Sequence, residues 1–160
     1  MKSLVIYYSK SGNTEKVAKA IARGSEAELK RVEEVNPENV SDYSLICIGT
    51  PVHALAPAKP IKKFLEKLPD LSGRKGAGFC TMHAVGDKRT LRIIKEKLEA
   101  KNIEFLGGFS CKGLSSIFGD IGPKVFNKGK PNEEDLKRAE DFGRKLLNQV
   151  KQKVEELINK

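Results

Sequence analysis

Three hydroxyls, an amide and a glycine stand together between a short apolar run and a helical pattern near the start of the chain. They belong to the stretch "SKSGNT", which comprises Ser9, Lys10, Ser11, Gly12, Asn13 and Thr14. The first N–H groups of a helix have no intrahelical acceptor, so such a corner attracts an anion. Neither G-x-G-x-x-G nor G-x-x-x-x-G-K-[ST] is present there, which favours a phosphate monoester held by neutral donors. An ordinary serine or asparagine N-cap is the alternative.

The elements around this corner follow from apolar periodicity. Apolar runs predict five strands, at residues 3–8, 28–35, 44–49, 76–81 and 104–111. Helical patterns predict four helices, at residues 14–23, 60–68, 90–100 and 132–158. We expect Gly24 to cap the first helix, and Asn132 with Asp135 to form a capping box at the start of the last.

Several strands are apolar throughout, such as "LVIYY" and "LICIG", which indicates a parallel sheet covered on both faces. The alternation of strands and helices therefore predicts a doubly wound α/β fold, with residues 1–160 as a single domain. The connection at 36–43 is too short for a crossover helix of a dozen residues, so we expect a single turn or a 3₁₀ helix there. Ligands of such sheets bind outside the carboxyl ends of the strands, where the corner lies.

Composition narrows the class of protein. No apolar run approaches the roughly 20 residues of a membrane span, and no signal-peptide cleavage site is visible, which predicts a cytoplasmic protein without a membrane partner. The net charge is +9, and lysines recur along the helical stretches with interleaved glutamates, a pattern typical of solvated faces. The chain has no Trp and no basic block interleaved with aromatics, so we expect no nucleic-acid partner.

The three cysteines, Cys47, Cys80 and Cys111, lie far apart in the sequence, each inside an apolar run. This spacing argues against a disulfide framework and against a zinc site of CxxC type. Free cysteine is among the most buried residue types, so we expect three buried thiols.

Three stretches together resemble the flavodoxin family. "SKSGNT" after the first strand is similar to the [ST]-x-[ST]-G-x-T phosphate loop of that family, whose members bind FMN. "DYSLICIGTPVHALAPAKPIKKFLEKL" resembles its third strand, flavin-flanking loop and following helix, and "GKPNEEDLKRAEDFGRKL" resembles its last helix. The resemblance spans nearly the whole chain and implies a flavodoxin-like five-stranded parallel sheet of order 2-1-3-4-5 in three α/β/α layers.

The resemblance implies a role for each matching residue. The FMN phosphate would be bound by Ser9, Ser11, Gly12, Asn13 and Thr14, with Lys10 in the same loop. One face of the flavin ring would lie against Thr50, Pro51, Val52, His53 and Ala54, and its pyrimidine edge against Thr81, Met82, His83 and Gly86. Many flavodoxins stack aromatic residues on the ring, but neither loop contains Trp or Tyr. His53 is the planar residue of the first loop, and exposed loop imidazoles are the alternative for both histidines.

The implied function is the redox chemistry of bound FMN, with no residue required as acid or base. The protein would be an electron carrier, or a reductase acting on NAD(P)H, a quinone, a metal complex or free flavin. A binding or regulatory module, with a pocket that is vacant or holds another phosphate ligand, is the alternative because fold does not fix function.

The implied partner is a redox protein or a small electron donor or acceptor. Six cations fall in or beside loops at the expected flavin end: Lys10, Lys59, Lys88, Arg89, Lys112 and Lys124. They predict a positive rim, and with it an acidic partner or a phosphate-bearing reductant. Helix-borne cations without a function are the alternative.

Two further loops bear on the chemistry. In many flavodoxins a glycine after the third strand lets a peptide flip towards the reduced flavin, but "TPVHALAP" contains none. A positive φ costs a non-glycine residue roughly 1–2 kcal/mol, so the resemblance implies weak stabilisation of flavin reduced by one electron and transfer of electrons in pairs.

The long segment 112–131 is expected to be either a lid with Phe118 at its tip or disordered.

Overall fold

The structure, a computed structural model, describes residues 1–119 and 122–159, and of residues 115–119 and 122–126 it describes the backbone alone. The strands are β1 (Ser3–Tyr7), β2 (Glu28–Arg31), β3 (Leu45–His53), β4 (Ala56–Pro57), β5 (Lys75–Met82), β6 (Glu104–Lys112), β7 (Ser115–Gly119) and β8 (Gly122–Phe126). The α-helices are α1 (Asn13–Ser25), α2 (Lys59–Lys67), α3 (Asp87–Glu99) and α4 (Glu133–Ile158). Two 3₁₀ turns, Val32–Glu34 and Pro37–Val40, follow β2.

Five strands form a parallel sheet in the order β2-β1-β3-β5-β6. β4 adds an antiparallel pair to the end of β3, and β7 and β8 form a separate antiparallel hairpin. Because β5 and β6 are the fourth and fifth parallel strands along the chain, the predicted order 2-1-3-4-5 and the doubly wound α/β fold are confirmed.

Helices cover both faces of the sheet. α1 and α4 pack on one face, against residues such as Val5 and Phe79. α2 and α3 pack on the other, against residues such as Leu4 and Ile48. Successive side chains of a strand point to opposite faces, so two buried faces require strands that are apolar throughout. Within the described residues, no helix combines the length and the hydropathy needed to cross a membrane.

Two strand boundaries differ from the prediction by more than one residue. β2 ends at Arg31 rather than at residue 35, because it lies at the edge of the sheet and its residues are only partly buried. β3 continues past residue 49 to His53. The connection after β2 contains the predicted 3₁₀ turn, which starts where Asn36 Oδ1 accepts a hydrogen bond from Glu38 N at 3.1 Å.

The predicted glycine cap of α1 is wrong. The helix continues through Gly24 to Ser25, and Glu26 takes the left-handed cap conformation with a φ of 52°. Gly24 faces α4 instead: a Cβ there would lie 1.9 Å from the backbone oxygen of Glu140, and Gly143 of α4 approaches α1 in the same way. The two glycines therefore set the distance between α1 and α4.

Two smaller predictions are confirmed. Asp135 N donates to Asn132 Oδ1 at 2.9 Å and Asn132 N donates to Asp135 Oδ2 at 3.0 Å, which is the capping box at the start of α4. The three cysteines are free and buried. Burial raises the pKa of Cys47 to about 12, and burial is also the main reason that the pKa values of Cys80 and Cys111 are raised to about 12.

Candidate functional site

The corner between β1 and α1 has no side-chain cap among the described residues. α1 begins after Gly12, whose φ of 92° lies in the left-handed region. The first intrahelical bond runs from Lys16 N to Gly12 O at 3.1 Å, which leaves the N–H groups of Asn13, Thr14 and Glu15 without an intrahelical acceptor. The interpretation as an ordinary serine or asparagine N-cap is therefore wrong, and the corner keeps the donors of an anion site.

The hydroxyls at the corner accept hydrogen bonds within the protein and keep their own protons. Ser9 Oγ accepts from a backbone N–H of the same loop at 3.0 Å, and Ser11 Oγ accepts from Asn13 Nδ2 at 3.2 Å. Thr14 Oγ1 and Thr81 Oγ1 share a buried hydrogen bond of 2.8 Å. A hydroxyl that accepts one bond still has a proton to donate, so Ser9, Ser11 and one of the two threonines each retain a donor.

A cation supports the corner from the neighbouring strand. Arg31, at the end of β2, pairs with Tyr7 in the sheet register, and its guanidinium carbon lies 5.5 Å from the Tyr7 ring centroid. Arg31 Nη2 donates to Ser9 O at 2.9 Å. Burial, and next to it the charge of Glu15, raises the pKa of Tyr7, while the hydrogen bond from Lys19 lowers the pKa of Glu15. Arg31 was not among the predicted site residues, although its place beside the end of β1 would have indicated it.

A cleft of about 190 Å³ opens beside the corner, at the carboxyl edge of the sheet. Its walls come from the corner (Ser11, Asn13), the end of β3 (Pro51, Val52, His53), the end of β5 (Thr81, Met82, His83) and the segment after β6 (Gly113, Leu114). The structure thus brings eight of the predicted residues together. Pockets for drug-sized ligands usually have about 300 Å³ or more, so this cleft would enclose only part of such a ligand.

Seven predicted residues lie outside the lining of the cleft: Ser9, Lys10, Gly12, Thr14, Thr50, Ala54 and Gly86. The first four belong to the corner. Thr50 is buried, and its hydroxyl accepts from Ala58 N at 2.9 Å and donates to Pro51 O at 2.8 Å, which ties the end of β3 to the start of α2. Gly86 precedes α3 with a φ of 103°, and a Cβ there would lie 2.8 Å from Val52 Cγ1. The contact between the two loops therefore requires glycine at this position.

The predicted loop over residues 50–54 is instead the end of a strand and a tight turn. His53 pairs with Ala56, so Ala54 and Leu55 are the two central residues of a hairpin. Both have positive φ, 49° and 61°, as a type I′ turn requires, although that turn favours Asn-Gly. The absence of glycine does not keep this backbone out of the left-handed region, so the strain expected to oppose a peptide flip is already present. One reason to expect electrons in pairs is therefore removed, and the electron count stays a prediction.

Ala54→Asn should raise the free energy of unfolding of the apoprotein by about 1 kcal/mol. A left-handed conformation costs alanine roughly 1–2 kcal/mol, and asparagine tolerates it better. The measurement is urea unfolding followed by circular dichroism. Ala84→Asn, at an exposed alanine of the next loop that lacks a positive φ, is the matched control and should change the stability little. An unchanged stability for Ala54→Asn would show that the turn is not strained.

Two asparagines hold the remaining wall of the cleft. Asn13 Nδ2 donates to Leu114 O at 2.7 Å, and Asn127 Nδ2 donates to His83 O at 2.6 Å and to Gly113 O at 3.2 Å. A Cβ on Gly113 would lie 2.7 Å from Asn13 Nδ2, so this approach requires glycine. The sequence analysis singled out the segment 112–131 by its length but assigned no site role to Gly113, Leu114 or Asn127. The turn-forming residues of "FNKGKPN" are a further signal in this segment.

The segment 112–131 contains the hairpin of β7 and β8. The hairpin leaves the sheet next to Leu114, which lines the cleft, and returns next to Asn127, which binds the loop after β5. Residues 120 and 121 and the side chain of Phe118 lie outside what the structure describes. The predicted lid with Phe118 at its tip therefore stays a prediction.

A parallel sheet with an uncapped helix N-terminus and a cleft at its carboxyl edge places this chain in the doubly wound class that binds ligands at that edge. The Flavodoxin domain family matches residues 4–110. A flavodoxin of Clostridium saccharobutylicum is 28% identical over 95% of this chain and 99% of its own length. An NAD(P)H dehydrogenase (quinone) of Archaeoglobus fulgidus is 27% identical over 89% of this chain and 94% of its own. The structure of an archaeal flavodoxin is similar with a TM-score of 0.73, at 21% identity over 94% of this chain and 99% of that one. The chain belongs to the flavodoxin family.

Proposed function

We propose that this flavodoxin-family protein binds FMN and exchanges electrons through it. The observation that carries the proposal is the uncapped N-terminus of α1, beside which Ser11 and Asn13 line the cleft. A phosphate at the corner and a ring in the cleft would then belong to one ligand. The names of the two relatives, a flavodoxin and a quinone dehydrogenase, support the same redox class.

The donors at the corner suit a phosphate monoester. The free N–H groups of Asn13, Thr14 and Glu15 and the hydroxyls of Ser11 and Thr14 would donate hydrogen bonds to its oxygens. The dipole of α1 favours negative charge at this end of the helix. Arg31, whose charge is paired with Glu33 at 3.6 Å, would hold the loop in place behind the phosphate through its hydrogen bond to the carbonyl oxygen of Ser9.

The cleft suits a flat aromatic ring system. Its lining includes the apolar residues Val52, Met82 and Leu114 and the planar residues His53 and His83. When bound there, FMN would supply the redox chemistry, since its ring accepts and releases electrons. The residues of the chain would bind and orient the ring and keep water from its apolar parts.

The test of this proposal is the visible absorption of the purified protein, followed by titration of the apoprotein with FMN and with riboflavin. We expect a yellow protein whose affinity for FMN exceeds that for riboflavin by about tenfold or more, because each hydrogen bond to a charged group contributes about 1.5–3 kcal/mol. Equal affinities would remove the phosphate assignment. A protein that binds neither flavin would be a binding or regulatory module instead.

Anaerobic reduction of the loaded protein separates a reductase from a carrier. Rapid reduction by NADH or NADPH is expected of a reductase related in function to the quinone dehydrogenase. Reduction by dithionite but by neither nicotinamide would favour a carrier that takes its electrons from another protein.

A further inference from the structure

We propose that the mouth of the cleft is a docking surface for an acidic electron-transfer protein. This inference rests on the proposed function and names the partner of the same site. It depends on two features of the rim: exposed apolar side chains, of which only Leu114 also lines the cleft, and cations that form no salt bridge within the described part of the chain.

The first feature is an apolar triad around the mouth, formed by Leu55, Val85 and Leu114. These side chains are 43%, 68% and 44% exposed. Leu114 lines the cleft, and Leu55 lies against Gly86, the residue after Val85. The other strongly exposed large apolar residues that the structure describes are Met1, Val154, Leu157 and Ile158. The triad is thus the apolar surface next to the proposed redox centre.

The second feature is a set of exposed cations around the triad: Lys10, Lys59, Lys88, Arg89 and Lys112. Each lies within three residues of the cleft lining or in the first turn of α2 or α3. None of the five forms a salt bridge within the described part of the chain. The side chain of Lys124, the sixth predicted cation, is not described.

The same stretches of the chain contain two acidic residues, Glu15 and Asp87. Glu15 is 3.1 Å from Lys19 Nζ, and an Asp87 carboxylate oxygen accepts from Ser110 Oγ at 2.9 Å. The hydroxyl of Ser110 is neutral and leaves the charge of Asp87 in place, but five cations against this one carboxylate give the rim a net positive charge. Such a charge attracts a negative partner and raises its rate of association.

A protein partner fits these features better than a small phosphate-bearing reductant. The cleft of about 190 Å³ leaves little room for a second small molecule beside a bound ring. An apolar patch with a charged border is typical of a protein interaction site, whereas a dinucleotide would need donors inside the cleft. In each encounter one electron would pass from the reduced partner, which is oxidised, to FMN held in the cleft, and no covalent bond would form or break. Transfer of a pair of electrons would take two such encounters.

The experiment uses the FMN-loaded full chain and a defined probe, an acidic [2Fe–2S] ferredoxin reduced with dithionite and freed of excess reductant. Stopped-flow absorbance gives the second-order rate of flavin reduction from low ionic strength to about 1 M salt. The test variant is Lys88→Glu/Arg89→Glu, which places acids in the first turn of α3, where the helix dipole favours them. The matched control, Lys62→Glu/Lys63→Glu, makes the same charge change at exposed positions in the middle of α2.

We expect the rim variant to be reduced about tenfold more slowly than the parent at low ionic strength. The difference should vanish near 1 M salt, where the Debye length is about 3 Å. The α2 control should stay within about twofold of the parent. Val85→Ser should lower the rate severalfold at every ionic strength, because it weakens the apolar contact.

Three results would overturn the inference while leaving the proposed function intact. The first is a rate of flavin reduction that depends neither on salt nor on the charge of the rim. The second is an equal loss of rate in the rim variant and the α2 control. The third is a loss of rate seen with NADPH as the reductant but not with ferredoxin. A parent protein without bound flavin is recognised from its spectrum before any rate is measured. That result would remove the proposed function and this inference with it.

Discussion

Replacing Gly24 by alanine should lower the free energy of unfolding by about 3 kcal/mol. Helix propensity alone predicts the opposite sign, since alanine in a helix interior is about 1 kcal/mol more favourable than glycine. The added Cβ, however, would lie 1.9 Å from Glu140 O and 2.9 Å from Arg144 N, both backbone atoms of α4. α1 and α4 would have to separate, and overpacking of this kind costs typically 1–3 kcal/mol and occasionally more. Urea unfolding followed by circular dichroism measures the difference.

Gly143→Ala tests the same contact from the side of α4, because the added Cβ would lie 2.3 Å from Ile21 O of α1. The double variant should lose less stability than the sum of the two single variants, since one separation of the helices relieves both clashes. Arg23→Ala, on the exposed side of α1, removes a surface ion pair with Glu140 and should cost less than about 1 kcal/mol. A Gly24→Ala variant as stable as the parent would show that the two helices are not held at this distance.

Gly24 also shows where sequence reasoning reaches its limit. The apolar periodicity of α1 predicted a helix over 14–23, and the structure has one at Asn13–Ser25. A glycine near the end of such a pattern has two uses, as a left-handed cap or as a point of close approach, and only the position of α4 distinguishes them. α4 is more than a hundred residues away in the sequence, so no local pattern carries that information.

In the candidate site, too, the residues of a local motif could be predicted from the sequence, and those that reach the site through long-range contacts could not. Ser11 and Asn13 were predicted from one contiguous motif, and the structure places them in the wall of the cleft. Arg31, Gly113 and Asn127 reach the site through strand register and long-range hydrogen bonds, which no single stretch of sequence reveals. The prediction also places the end of edge strand β2 too late. The residues of β2 are only partly buried, and partial burial weakens the apolar pattern that marks the end of a strand.

The double variant Ser11→Ala/Thr14→Ala should bind FMN roughly 100-fold more weakly than the parent. Ser11 keeps a hydroxyl proton next to the free N–H groups of α1, and Thr14 keeps one when Thr81 donates the hydrogen bond that the two threonines share. Hydrogen bonds to a charged group contribute about 1.5–3 kcal/mol each, so the loss of two amounts to about 3 kcal/mol or more, which is a factor of about 100 in Kd. Titration of the apoproteins, followed by the change in flavin fluorescence, measures it.

Riboflavin and a control variant separate loss of the phosphate contacts from general damage to the fold. Riboflavin lacks the phosphate, so its affinity for the double variant should stay within severalfold of its affinity for the parent. Ser25→Ala removes a buried hydroxyl from the opposite end of the same helix, where Ser25 Oγ donates to Ile21 O at 2.7 Å. It should lower stability by about 1 kcal/mol and leave the affinity for FMN unchanged. If the double variant lost affinity for both flavins equally, the two hydroxyls would serve the architecture of the cleft, and the phosphate would have to be held by the backbone N–H groups of α1 alone.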